Sequence, residues 1–307
     1  MKILYYPIII FTYNRPNHLE KLLNSIKNNK NFKKQKFYFF CDGPKNNHNK
    51  SENIKIEKNI SIIKKFKTIK KIIKIRKKNY GLAHNIIDGV SFVLKKNKAC
   101  IVFEDDLIIH EECLNFINFG LNKFIKDRSI GSISGFSYLH GYEKKKNQSW
   151  FKLYRHCSWS WGTWSRVWNK VNWNIDNLSQ KNLENELNKK KFLKAGSDIP
   201  LLLFAQISKI INSWAVRFNY YCLAKGLLSI SPTQSLVQNN GFGINATHTI
   251  NFLRKKKIIF NKYDNFNLNS FKKPKLNSKF NSIIKKEHPI NRKLYLRITL
   301  SNFFKNM

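Results

Sequence analysis

Over roughly the first 130 residues, short apolar runs alternate with longer segments of helical period, the pattern of βαβ units laid into a parallel sheet. Ile8–Thr12 predicts the first strand, and Leu19, Leu22, Leu23 and Ile26 mark one face of a helix opening at about Pro16. Phe37–Cys41 predicts a second strand, stopped by the turn signal Asp42-Gly43-Pro44. Ile56, Ile60, Ile63 and Phe66 mark a helix whose other face is nearly all lysine. Ile72–Arg76 predicts strand three, Leu82, Ile86, Val90 and Val93 the next helix, and Ala99–Phe103 strand four. A helix marked by Leu114, Ile117, Leu121 and Phe124 then leads to a strand at Ile130–Ser134.

After this the pattern changes. Residues 150–173 hold six of the seven tryptophans. Helical patterns return between Lys181 and Ala224, followed by small strands at Leu227–Ile230 and Ser235–Gln238. The expected organisation is one domain over 1–250, with a ligand-binding half at 1–135 and a second half at 136–250. A basic, partly ordered tail over 251–307 follows it.

Charge changes the picture less than its size suggests. The chain carries 57 Lys and Arg against 18 Asp and Glu, a net charge of +39. Residues 55–78 hold eleven basic residues against one acid, and 251–307 hold fifteen against two. Such a field attracts polyanions, yet Lys, Asn and Ile are abundant together throughout, as a compositional bias would make them. No zinc-finger spacing, Arg-rich recognition helix or RNP-like strand appears, so no specific nucleic-acid partner is expected. An anionic membrane surface fits the charge at least as well, with Arg292–Phe304 as a basic, apolar piece able to lie on it. Five widely spaced cysteines without a CxxC pair point to a reducing compartment. The apolar stretch at Ile8–Phe11 is too short for a signal peptide, and no run approaches a membrane span, so a cytoplasmic protein is expected.

The most informative stretch is Ala99–Leu107, where a buried-strand pattern ends abruptly in Glu104-Asp105-Asp106. Ligands of open α/β sheets bind beyond the carboxyl ends of such strands. Three adjacent acids repel one another unless a cation offsets them, and Mg²⁺ or Mn²⁺ suits oxygen donors and phosphates. The bland reading is an acidic loop that ends a strand. Other strand ends add polar groups, each with its own bland reading. Thr12, Asn14 and Arg15 could reach a nucleotide and its diphosphate, or Asn14 could simply cap a helix. Asp42 could hold a base or ribose hydroxyl, or serve the turn at Gly43. Arg76, Asn79 and Gly81 lead into a helix beside His84 and Asn85, with Gly81 allowing close backbone approach. Four strand ends converging on one edge weigh more than any member alone.

The run from Pro7 to Pro16 (PIIIFTYNRP), Cys41-Asp42-Gly43, Asn79 to Leu82 (NYGL) and Phe103 to Asp106 (FEDD) resemble nucleotide-sugar-dependent glycosyltransferases of the GT-A fold. Their order is that of family-2-like members. The acidic triplet, with Trp161-Gly162, is most similar to N-acetylglucosaminyltransferase I and its bacterial relatives. The resemblance covers residues 5–175, thins to about 250 and then ends. It implies a GT-A (Rossmann-like), mostly parallel sheet flanked by helices, with an acceptor-side subdomain. It further implies metal-dependent transfer of a hexosyl or N-acetylhexosaminyl group from a nucleoside diphosphate-sugar, UDP-linked by expectation, to a hydroxyl of a glycan or lipid-linked glycan, with inversion, in surface glycan or glycolipid biosynthesis.

Laid onto positions, the resemblance has Thr12, Asn14 and Arg15 lining the nucleotide pocket, Asp42 holding the base, and Arg76 and Asn79 contacting nucleotide or diphosphate, with Gly81 beside them. Asp106 would ligate Mn²⁺ or Mg²⁺, Asp105 and Glu104 would hold ribose and donor sugar, and Trp161 and Gly162 would shape the pocket. Most of the tryptophans are expected in the core of the acceptor-side half. The general base falls on Asp198, whose plain alternative is a helix N-cap with Pro200 early in the helix. The loop from Asn239 to His248 is similar to those that fold over a diphosphate, with His248 as a further metal ligand or an ordinary histidine. A sugar-nucleotide nucleotidyltransferase is the rival enzyme, but it needs a Gly-rich loop after strand one, where this chain has none. A non-enzymatic nucleic-acid-binding protein is the other rival. It requires salt-dependent binding that survives loss of Asp105 and Asp106.

Overall fold

Runs of five and six apolar residues supply the central strands, whose side chains are covered on both faces. In the computed structural model, residues 3–45, 50–139, 150–175, 190–241, 268, 272–276, 278–290 and 294–296 are described. In chain order they form β1 (Ile8–Thr12), α1 (Pro16–Lys27), β2 (Lys36–Cys41), α2 (Lys50–Lys65), β3 (Lys70–Ile75), α3 (Gly81–Leu94), β4 (Ala99–Glu104), β5 (Leu107–Ile109), α4 (Cys113–Lys123), β6 (Ile130–Ser134), β7 (Trp150–Leu153) and β8 (Trp161–Trp164). Then come α5 (Ser165–Trp168), α6 (Lys190–Leu193), α7 (Ile199–Ile207), α8 (Trp214–Ala224), β9 (Leu228–Pro232), β10 (Val237–Asn239), β11 (Lys275–Leu276) and α9 (Ser278–Glu287).

Among the described residues, nine strands make one mixed sheet in the order β11-β7-β9-β6-β8-β4-β1-β2-β3. The half β3-β2-β1-β4 is wholly parallel, with Ile10 opposite both Phe39 and Phe103. β8 runs antiparallel between β4 and β6, and β7 antiparallel to β9. The architecture is therefore α/β, with a large, mostly parallel sheet flanked by helices. Strand order reverses between β1 and β4, because the chain builds outward through β2 and β3 and then returns to the other side of β1. That is a topological switch point, where the strands' carboxyl ends leave a crevice.

Side-chain alternation along β1 and β8 assigns the layers. Phe11 meets α3, where a Cβ at Gly89 would lie 2.7 Å from the Phe11 ring. The next residue, Thr12, faces α2. Trp161 points to the α3 side, stacking on Trp168 of α5 and Trp214 of α8, while Gly162 faces α4. The edge strand β3 carries Lys70, Lys71 and Lys74, which discourage further strand pairing. One lysine of this run also closes a helix end, since Lys71 Nζ donates to the carbonyls of Ile63, Lys64 and Phe66 where α2 stops. All five cysteines are buried and free. Described parts of the expected tail pack on the domain: β11 pairs with β7, and Phe280 of α9 meets Phe151.

Candidate functional site

The acidic triplet leaves β4 at the switch point, and β1 ends beside it. Thr12 Oγ1 donates to Asp105 Oδ2 at 2.8 Å, and the Tyr13 N–H reaches the same oxygen at 3.2 Å. Arg15, at the N-cap of α1, places Nη1 3.5 Å from Asp106 Oδ2. β10 pairs antiparallel with β5, bringing Asn239 opposite Leu107. The chain beyond it closes on the acids: Asn240 N–H donates to the Asp106 carbonyl at 2.7 Å, and His18 Nε2 lies 3.2 Å from the Asn240 carbonyl. A Cβ at Gly241 would collide with Asp106 Oδ2, so any other residue here would push that carboxylate aside. The start of the Gly-rich loop thus reaches the triplet. His248 lies outside the described residues.

Burial dominates the electrostatics here. It pushes the Glu104 carboxyl well above the usual range, with Asp106 and Asp105 adding repulsion. Asp105 is pushed up to about 7, first by burial and then by Asp106, against the pull of Thr12 and Arg15. Asp106 also rises through burial, while Arg15 and His18 draw it down. Among the described residues, no three His, Cys, Asp or Glu side chains converge as a metal cage. The donor set still fits a hard divalent cation that takes most of its shell from phosphate oxygens and water. Three carboxylates crowd one strand end, and among the described residues Arg15 forms an ion pair with them, 3.5 Å from Asp106. An added positive charge would relieve them.

The other expected residues divide clearly. Asp42 spends both oxygens on the backbone: Oδ1 accepts from Gly43 N–H at 3.0 Å and Tyr80 N–H at 2.8 Å, and Oδ2 from Gly81 N–H at 3.1 Å. It caps the start of α3 from across the sheet, because Tyr80 itself supplies no cap. Asn79 braces the same turn, donating to the Gly43 carbonyl at 2.9 Å and accepting from Gly81 N–H. Gly81 takes a φ of +72°, which suits glycine. Arg76 pairs with Asp88, donates to Asn85 at 3.3 Å and lies over the Tyr80 ring. These residues build the rim of the crevice, with their polar groups already engaged.

Trp161 is fully enclosed, ringed by Trp168, Trp214, Phe218 and His156, and offers no face to a sugar. Gly162 is glycine because a Cβ would lie 2.9 Å from Ile117 Cγ2 and 3.0 Å from Cys100 O. Asp198 does not use its side chain as an N-cap. It is held by Arg155 at 2.8 and 2.9 Å, and His288 Nδ1 lies 3.7 Å away. Gly196 has a φ of +131°, and a Cβ there would press on Asp198 and Arg155. Sequence reasoning missed Arg155, and it missed Asn59 and Glu52 of α2. Asn59 Nδ2 donates to Thr12 Oγ1 at 2.7 Å, and the Tyr13 hydroxyl donates to Glu52 at 2.5 Å. Glu52 could have been noticed as one of the few acids in a basic region. Asn59 had no such signal.

No protein-family model matches the chain, and no curated protein matches it either. Among solved structures, the mannosyltransferase PcManGT from Pyrobaculum calidifontis in complex with GDP-Man and Mn²⁺ overlays with a TM-score of 0.36 at 12% identity, over 52% of this chain and 44% of that one. The apo form of mouse xyloside xylosyltransferase 1 overlays with a TM-score of 0.36 at 8% identity, over 72% of this chain and 83% of that one. Overlaps this partial carry no argument about chemistry, which rests on the crevice itself. Among the described residues, no helix is long and apolar enough to cross a membrane.

Proposed function

We propose that the protein is a glycosyltransferase, moving a sugar from a nucleoside diphosphate-sugar to an acceptor hydroxyl. One observation carries this reading: Thr12 and Arg15 of the β1 end meet Asp105 and Asp106 of the β4 end at the switch point, under the Asn240–Gly241 chain. Crowded carboxylates with hard oxygens, Asp105 buried and Glu104 and Asp106 half-buried, together with Arg15 and a glycine beside Asp106, suit a nucleotide with a diphosphate. Asp105 and Glu104 would accept hydrogen bonds from ribose and sugar hydroxyls. Arg15 would attract the diphosphate, and Asp106 would hold Mn²⁺ or Mg²⁺. When bound, the cation neutralises charge on the diphosphate leaving group. We take the donor as UDP-linked, the group as hexosyl or N-acetylhexosaminyl, the acceptor as a glycan or lipid-linked glycan, and the outcome as inversion. In inversion a carboxylate takes the acceptor's proton during attack. Asp198 can do this only after its bidentate pair with Arg155 opens.

Thermal melting with UDP, GDP and their sugars, with and without Mn²⁺, tests the reading. Metal-dependent stabilisation by one nucleoside diphosphate, lost in Asp106→Ala, is the expected result. No response to any nucleotide would sink it.

A further inference from the structure

Asn59 lies in the middle of α2, fully buried on a helix whose remaining surface is rich in lysine. Its Nδ2 spends both protons, one on Thr12 Oγ1 at 2.7 Å and one on the Tyr13 main-chain carbonyl at 3.0 Å. The second bond fixes the orientation of the amide, because a carbonyl only accepts. Thr12 Oγ1 therefore receives a proton from Asn59, and the single hydroxyl proton of Thr12 is left for Asp105 Oδ2 at 2.8 Å. The Tyr13 N–H, part of the segment that Asn59 holds, converges on the same oxygen. Asp105 Oδ1 accepts no hydrogen bond from any described residue. Asn59 Oδ1 is itself buried, with no hydrogen-bond partner among the described residues. A leucine would fill similar space with no orphaned acceptor, so what the amide contributes is its two donor bonds.

We propose that Asn59 is a positioning residue of the donor site. By holding Thr12 and Tyr13 it commits Asp105 Oδ2 to the protein and presents Oδ1 to a ribose hydroxyl of the bound nucleotide. This rests on the reading of the crevice as a nucleoside diphosphate site. Removing the clamp frees Thr12 to turn its proton elsewhere and lets the carboxylate rotate. The ligand then loses a hydrogen bond to a charged group, about a tenfold effect.

Calorimetric titration of the full chain with UDP and GDP, each against its 2′,3′-dideoxy analogue in the presence of Mn²⁺, tests the assignment. Wild type is expected to favour the ribonucleotide it binds by about tenfold, and Asn59→Ala to erase that preference. In a Thr12→Val background, Asn59→Ala should lower the ribonucleotide preference less than it does in wild type, because the Thr12 arm is already cut and only the hold on Tyr13 remains to be lost. A role in packing alone would lower the melting temperature and leave the ribose preference intact, which overturns the assignment. Equal binding of both analogues by wild type does the same. If wild type binds neither nucleotide, the donor-site reading falls and this assignment with it, whereas an intact preference in Asn59→Ala removes this assignment alone. Asn59→Ser, smaller and still polar, serves if the alanine variant does not fold.

Discussion

The two halves of the sheet bury polar groups with opposite results. At the β1–β4 switch point, Glu104, Asp105 and Asp106 crowd together near Arg15, and burial pushes their carboxyls toward the protonated form. Behind β6–β9, charge is answered. Arg155 grips Asp198 with two bonds, and Asn219 binds the backbone of His156 at both its N–H and its carbonyl. Low polarity favours neutral forms in both places, so carboxyls rise at the crevice and histidines fall in the core. What separates the two halves is the pairing of charge, since even in the core His156 Nε2 and Trp161 Nε1 are buried without a hydrogen-bond partner among the described residues. Paired charges stabilise a fold, whereas crowded carboxylates have capacity left for a ligand.

Asp106→Ala breaks the comparison most strongly. If the crevice has that capacity, this change should remove Mn²⁺-dependent nucleotide stabilisation and cost transfer about 10²–10³-fold. Folding stability should stay near wild type, because relieving repulsion among crowded acids costs the fold little.

Next in size is Asp198→Asn, which leaves Arg155 buried with half a partner. Urea unfolding should report a loss of about 3–5 kcal/mol. The double change Arg155→Met with Asp198→Leu should recover much of it, because a well-packed apolar pair replaces a buried ion pair at little net cost. The opposite result is equally informative. An unchanged urea midpoint together with a collapse in turnover would make Asp198 the base and break the division drawn between the halves.

How far the chain discloses this division depends on the range of the interactions. β1 and β6 run as the apolar pattern predicts, and β2 and β4 differ by one residue at an end, because covered parallel strands announce themselves locally. The acids were visible because three carboxylates after an apolar run have few structural explanations. β7 and β8 were not visible. Trp150–Leu153 and Trp161–Trp164 lie within a tryptophan-rich stretch whose residues read as one cluster. Only pairing with β9, β6 and β4 makes them strands. The same limit hid the partners of single polar residues. Nothing near Asp198 in sequence announces Arg155, 43 positions away. Asn59 looks like its solvated neighbours until α2 is laid against Thr12, 47 positions away. Asp42 shows the reverse: its bland reading as a turn residue describes its present bonds to Gly43, Tyr80 and Gly81.

Gly162→Ala sharpens the boundary between the halves at intermediate cost. The new methyl group would press on Ile117, Leu121 and the Cys100 carbonyl where α4 lies on β8. We expect a loss of about 1–3 kcal/mol from overpacking, read by urea unfolding. A fall in nucleotide affinity larger than the fall in stability would return Gly162 to the pocket.

The smallest effect tests whether burial alone sets the charge of the core. His156 accepts or donates one bond, to Ser132 Oγ at 2.9 Å, and is walled in by Trp161, Trp214 and Phe218. Burial first and Arg155 second pull it down to about 3 from an ordinary value of 6.5. In the unfolded chain the imidazole takes up a proton below about 6.5, while in the folded protein it stays neutral until far lower pH. Its contribution is therefore complete above pH 6.5 and is lost as pH falls toward 3. The acids of the crevice act with the opposite sign, because their folded forms hold protons that the unfolded chain releases. Whole-protein pH profiles mix the two, so the useful quantity is the difference between wild type and His156→Gln. That difference should shrink by about 1 kcal/mol between about pH 7 and pH 5.5. A difference flat with pH would mean that His156 is solvated and that the core behind β6–β9 is as open as the crevice.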